Sequence, residues 1–315
     1  MNILGKRYWY FALSLLVILP GMVLIALNGL PLSIDFTGGS ILEVRFAGET
    51  PAPADVVAVY ESLGVKDAQV QTTGTGTVQI RSSFLSEASG EEDTGETATS
   101  TAVQAALREE FGELTVERFD SVGPSIGRQV TQRAALAVAI AALAVVFYIT
   151  YTFRGLEHAF RYGVIAIVAM IHDVAVVMSI TALGGQFWGW QVDALFLTAL
   201  LTVIGFSVQD KIVVFDRIRE NSNVYRRLPY ETLANHSIIQ TLQRSINTQL
   251  MTVEFMLLAL ALFGGITLRE FAVILLIGLF SGTYSSIFIA APILVVWEKQ
   301  EWKTWFRRKE ETQTI

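Results

Sequence analysis

The sequence predicts an α-helical membrane protein, with six transmembrane helices and one extracytoplasmic α+β domain between helices 1 and 2. Three observations predict it. Apolar runs of spanning length recur along the chain, and a long segment between the first two runs instead alternates apolar with polar residues. Lys and Arg also gather at the ends of the runs that fall on one side. Composition agrees: 52% of the 315 residues are hydrophobic and mean hydropathy is +0.48, above that of ordinary soluble domains.

A helix crossing a bilayer needs about 20 mostly apolar residues. The first span runs from about Tyr8 to Leu27 behind Lys6 and Arg7, and Pro20 is expected to kink it. No small-x-small cleavage pattern follows, so it reads as an uncleaved anchor rather than a signal peptide. Further spans are expected at about Arg133–Phe153, Tyr162–Leu183, Ala194–Phe215, Ile246–Gly264 and Phe271–Trp297. Lys6, Arg7, Arg154, Arg161, Arg217, Arg219, Arg226, Arg227, Arg244, Arg307, Arg308 and Lys309 all fall on one face of that arrangement. The other face receives the acidic Asp35–Asp120 segment and short hairpins around Gly184–Val192 and Gly264–Glu270. The positive-inside rule then sets both termini in the cytoplasm and the acidic segment outside. Trp188 and Trp190 suit an outer aromatic belt, Trp297, Trp302 and Trp305 an inner one.

The chain divides accordingly into an N-terminus with helix 1 (1–30), an outer domain (31–128), helices 2–6 (129–297) and a cytoplasmic tail (298–315). In the outer domain, Leu42, Val44 and Phe46 alternate with Glu43 and Arg45, the pattern of a strand with one buried face. Pro53-Ala54-Asp55 opens a helix carrying Val56, Val59, Tyr60 and Leu63, and Gly64 closes it. Short strands near Ala68–Thr72 and Thr77–Arg81 follow, joined through Gly74-Thr75-Gly76 as a hairpin. A second helix near Ala102–Phe111 and a strand near Leu114–Asp120 complete a βαββαβ order, that of the ferredoxin-like fold. Residues near 86–100 are acidic, small and without an apolar face, which predicts a disordered loop.

Several function classes are excluded. Without cysteine there are no disulfides, thiolate metal sites or thiol nucleophiles, and His158, His172 and His236 have no ligand spacing. No basic stripe of helical spacing appears, which argues against a nucleic-acid partner. The chain is therefore not expected to be an enzyme or to hold a metal or cofactor. An intramembrane hydrolase is disfavoured because no membrane Ser/Lys, Ser/His or paired catalytic Asp motif is evident, although Asp173 and Asp210 resemble the last.

Ionisable residues inside spans are costly and are functional candidates by default. Asp173 lies about eleven residues into the third span, roughly 16 Å along the helix and near the bilayer centre. His172 is adjacent, about 100° around the helix, and is not expected to share its face. Asp210 and Lys211 lie in the inner third of the fourth span, where Lys211 either serves as a counter-charge to Asp173 or snorkels toward the headgroups. Glu254 falls near the middle of the fifth span at about the depth of Lys211, which predicts a charge pair between them.

Four blocks carry a resemblance to a known family. They are Asp35-Phe36-Thr37-Gly38-Gly39 after the first span and Ile171-His172-Asp173-Val174 in the third. Gly205-Phe206-Ser207-Val208-Gln209-Asp210, continuing through Lys211 to Val214–Asn221, closes the fourth, and Gly278–Ser286 lies in the sixth. Together, in order over nearly the whole chain, they resemble SecF, the smaller membrane subunit of the SecDF protein-export complex in the RND-type superfamily. The resemblance implies an accessory subunit that promotes late export across the bacterial or archaeal cytoplasmic membrane, with SecD, the SecYEG channel and the translocating polypeptide as partners. It implies coupling to the proton-motive force rather than ATP, protons as the coupling ion, and Asp173 as a relay aspartate; Asp210 and Lys211, from their depth in the fourth span, are the further relay candidates. Glu254 departs from the family pattern.

The remaining motif residues read as structural. Asp35, Gly38 and Gly39 fix the joint between the first span and the outer domain, Gly38 and Gly39 by backbone freedom. Asp216 and Arg217 anchor the inner end of the fourth span, near Gly205 of the same block. Gly278 and Gly282 form a small-xxx-small seam, for close helix approach within the chain or against SecD. Two other readings stay open: a proton-driven RND-type exporter of small molecules or lipids, and a proton-independent scaffold of the translocase.

Overall fold

The computed structural model describes residues 2–65, 67–73, 76–86, 99–152, 154, 159–249, 255–264 and 266–303. These fall into two compact units, Leu32–Leu136 and the rest of the chain.

In the Leu32–Leu136 unit a helical turn, α2 (Ile34–Thr37), precedes β1 (Gly39–Phe46). Then follow α3 (Pro53–Ser62), β2 (Gln69–Thr73), β3 (Thr77–Ser82), α4 (Ser100–Phe111) and β4 (Leu114–Val122). The sheet is antiparallel throughout, in the order β2-β3-β1-β4. Pairing of Leu42 with Ile80 and Val44 with Val78 keeps one face apolar, and a bulge after Glu43 preserves that phase against β4. Val56 and Tyr60 of α3 and Val103 and Leu107 of α4 cover this face and form the core. Proline at the first turn starts α3, Gly64 (φ +84°) follows its end, and the Thr99 hydroxyl caps α4 by accepting from Ala102 N. Residues 87–98 of the expected acidic loop, and Gly74 and Thr75 of the hairpin, lie outside the described residues. The loop's flanks meet, with Ser100 N donating to Ser86 O at 3.0 Å.

The second unit contains α1 (Arg7–Asn28), α6 (Ala159–Trp188), α7 (Ala194–Val224), α8 (Tyr230–Gln249), α9 (Phe255–Phe263) and α10 (Ile266–Ser285). A π-helical turn at Ser286–Ala290 leads into α11 (Ala291–Lys299). The helix α5 (Pro124–Thr152) runs between the two units in sequence. Pro292 explains the π turn: it lacks an N–H, and its ring excludes the carbonyl of Phe288 four residues back. Around Pro20, α1 is bonded by Ser179 of α6. Gly21 N donates to Ser179 Oγ (3.1 Å), which donates to the carbonyls of Val17 and Ile18 (2.9 Å each), so a foreign hydroxyl enters the helix ladder.

Among the described residues five helices are long and apolar enough to cross a membrane. The expected fifth span is not among them. Its first residues belong to α8, a polar helix that packs on α7 through Leu233, Ala234, Ser237 and Ile238 and continues to Gln249. The apolar α9 covers only the later part of the run, and residues 250–254 lie outside the described ones. Two other boundaries move. The second span's helix begins at Pro124, ahead of Arg133. The third continues to Trp188 through the expected Gly184 hairpin, because Trp190 packs over Gly184 and closes the helix end, its N–H donating to Gly184 O.

Candidate functional site

The site is assembled from three helices. On α7, Ser207 and Lys211 are four residues apart and share a face. On α10, Gly278, Ser281, Gly282 and Ser285 follow i, i+3, i+4, i+7 spacing and form one stripe. That stripe lies against α7: a side chain at Gly278 would overlap Val203, and a Cβ at Gly282 would stand 3.3 Å from Ser207 Cα. The small-residue seam is thus used inside the chain. It brings α10 close enough for short hydroxyls to reach a residue on α6.

That residue is Asp173, completely buried. Its Oδ2 accepts from Ser207 Oγ (2.5 Å), Lys211 Nζ (2.7 Å) and Ser285 Oγ (2.7 Å). Its Oδ1 accepts from Ser281 Oγ at 2.8 Å and lies 3.1 Å from His172 Nδ1. Lys211, also completely buried, donates in addition to Ser207 O (2.9 Å) and Ser207 Oγ. A carboxylate and an ammonium withdrawn from water need this paired, fully bonded geometry, because a lone buried charge costs several kcal/mol, as an order of magnitude. Asp210 is buried one residue before Lys211, acts electrostatically on it, and accepts from Thr283 Oγ1 of α10 at 3.2 Å. Lys211 is therefore under the influence of two carboxylates.

His172 differs from expectation. Although about 100° around the helix from Asp173, its ring bends back so that Nδ1 meets Asp173 Oδ1, while Nε2 lies 2.9 Å from Ser14 Oγ of α1. The backbone angle alone misled because an imidazole on a flexible Cβ reaches across it. Sequence reasoning also missed Ser207, Ser281 and Ser285. The signal was there, in serines spaced with the seam glycines and with Lys211.

The other predicted residues stand apart. Glu254 lies outside the described residues, and the partner found for Lys211 is Asp173. Gly205 faces open space. Asp216 pairs with Arg219 and Arg217 with Glu220, both at 2.7 Å on the α7 surface, and Arg217 Nε also donates to Gln240 of α8. In the other unit Gly38 (φ +75°) and Gly39 (φ +128°) adopt backbone angles that favour glycine; a Cβ on them would stand 2.9 Å from Pro124 Cα and 2.7 Å from Ser82 O. Asp35 sits in the turn capped by Ser33 and acts electrostatically on Arg81, whose pKa burial lowers and Asp35 raises in part. Among the described residues no His, Asp or Glu cluster could hold a metal ion.

Comparison with known proteins sets this geometry in a family. Residues 102–300 match the family model described as protein export membrane protein SecD/SecF, C-terminal, and residues 23–48 match the SecD/SecF GG motif. The protein translocase subunit SecF of Anaerolinea thermophila is 66% identical over 98% of this chain and 97% of its own. That of Thermobaculum terrenum is 44% identical, with 98% of each chain covered. The crystal structure of SecDF from Thermus thermophilus, described as a translocon-associated membrane protein, matches with a TM-score of 0.78 at 31% identity, covering 95% of this chain and 39% of that one. SecDF in a super-membrane-facing form matches with a TM-score of 0.65 at 30% identity. The chain belongs to the SecD/SecF protein-export family, within its SecF branch.

Proposed function

We propose that this chain is a proton-motive-force-coupled, non-catalytic accessory subunit of the Sec protein translocase. It works with a SecD partner beside the SecYEG channel to promote late export of polypeptides across the cytoplasmic membrane. In this reading both termini are cytoplasmic, a sixth span passes through α9, and the four-stranded unit is a ferredoxin-like outer domain that meets the emerging polypeptide. The strand order, with β3 between β1 and β2 and crossovers through α3 and α4, supports that fold.

The observation that carries the proposal is the buried Asp173–Lys211 pair, bonded from three helices. Charge so deep in a spanning bundle marks an ion pathway. Adding a proton to Asp173 removes the counter-charge of Lys211, which is then drawn toward Asp210, and a serine hydroxyl that had donated must turn to accept. Protonation thus changes the bonding of α6, α7 and α10 together. A conformational change needs such a differential interaction between its two states.

The test is translocation of a secretory precursor into vesicles holding this chain and its SecD partner, with and without a proton-motive force. Asp173→Asn and Asp210→Asn, expressed equally, are expected to abolish the acceleration that the force gives wild type. A scaffold would keep that acceleration in both variants.

A further inference from the structure

Beside the carboxylate lies a cavity of about 500 Å³ between α1, α6 and α10. Its wall is mostly apolar, from Leu13 and Val17 of α1 to Phe280 of α10, but four polar side chains face it: Ser14, His172, Ser281 and Tyr284. His172 stands between the cavity and Asp173. One ring nitrogen is 3.1 Å from the carboxylate and the other 2.9 Å from Ser14 Oγ. The ring stacks on Tyr284 at 6.3 Å between centroids, and the Tyr284 hydroxyl donates to Tyr10 O, so both neighbours hold the imidazole in register. The other ionisable groups here are Lys211, across the carboxylate, and Asp210 beyond it. A space of about 500 Å³ has the volume for several water molecules, and Ser14 and His172 are the lining groups that could bond those beside the carboxylate.

We propose that His172 transfers protons between this cavity and Asp173, an inference resting on the proton-coupled reading above. With Asp173 ionised, Nδ1–H donates to its Oδ1 and Nε2 accepts from Ser14. A hydronium ion in the cavity gives a proton to Ser14 Oγ as Ser14 passes its own proton to Nε2, and the Nδ1 proton leaves for Asp173. The hydronium becomes water and the carboxylate a carboxylic acid. The imidazole ends neutral in its other tautomer, with one N–H bond formed and one broken, and the reverse sequence returns it. Histidine suits the position because the two nitrogens of a neutral imidazole can exchange donor and acceptor roles.

The test is force-driven translocation by vesicles with the SecD partner, comparing wild type, Asp173→Asn, His172→Ala and His172→Asn with and without added imidazole. Asparagine keeps an amide donor at the Nδ1 position but cannot pass a proton. The gain from the force is expected to fall at least about tenfold in both histidine variants, a threshold set below the roughly 10²–10⁴-fold that a positioned proton-transfer group contributes. Imidazole, entering the space vacated beside the cavity, should restore part of the gain in His172→Ala and leave wild type unchanged. A full gain in either variant, or a loss in His172→Ala that imidazole does not relieve, would overturn the inference. The Asp173→Asn arm separates the two claims. If it abolishes the gain while His172→Ala keeps it, only this inference falls; if it keeps the gain, the proton-coupled function falls and this inference with it.

Discussion

At the residue scale the centre of the molecule is a pair of opposite charges that neither partner could sustain alone. Asp173 has three serine hydroxyls as well as Lys211, whereas Lys211 depends on that carboxylate and on Ser207. Lys211→Met should therefore leave a buried carboxylate without its counter-charge and cost about 3–5 kcal/mol of stability. Removing the second charge as well, in Asp173→Asn/Lys211→Met, should recover a large part of the loss, because a neutral amide can still bond the serines. Denaturant unfolding in detergent of both single variants and the double measures this, and additive losses would show that the pair is not coupled. The charges themselves were legible in the sequence, as ionisable residues inside apolar windows. The contact between them was not, because spacing along one chain does not say which faces of two helices meet.

Helix packing determines whether that contact exists. The α10 stripe meets α7 only because Gly278 and Gly282 lack side chains where Val203 and Ser207 press in. Gly278→Ala should separate the two helices, withdraw Ser281 and Ser285 from Asp173, and reduce force-driven export. Gly205→Ala, on the same α7 but facing open space, should fold and export as wild type and gain up to about 1 kcal/mol from helix propensity. Equal behaviour of the two variants in thermal unfolding and export would remove the seam from the account. The α1–α6 contact depends in the same way on Ser179, whose hydroxyl stands in for the ladder that Pro20 interrupts. Pro20 announced a kink in the sequence, whereas nothing in the spacing of Ser179 tied it to that proline. The two-residue period of the sheet was fully readable, since Leu42, Val44 and Phe46 face the core as their alternation requires.

For the whole molecule, one end of the helical bundle is tied by charge. Glu231 of α8 accepts from Lys299 of α11 and from Arg7 of α1, and Arg7 also holds Glu301 at 2.5 Å. The hydrogen bond from Lys299, followed by that from Arg7, holds the Glu231 carboxyl below its ordinary value of 4.5. A group lowered in this way stabilises the fold above its unfolded titration and loses that contribution as pH falls through the folded value. Hydrogen-exchange protection in α8, corrected for the intrinsic pH dependence of exchange, should thus be flat from neutral pH down to about the ordinary carboxylate range, fall only below it, and be lower in Glu231→Gln above that range but not below it. The span count shows where sequence reading stopped. Hydropathy places a span over Ile246–Gly264, whereas α8 is polar as far as Gln249 and the apolar α9 begins at Phe255, so a sliding window does not locate where polar helix gives way to apolar. The central claim, that Asp173 exchanges protons in service of export, is tested most directly by proton flux. The flux would be read with a pH-sensitive dye in vesicles carrying this chain and its SecD partner, with a polypeptide engaged in the channel. Wild type should pass protons down an imposed gradient and Asp173→Asn should not; equal flux in the two would contradict the account.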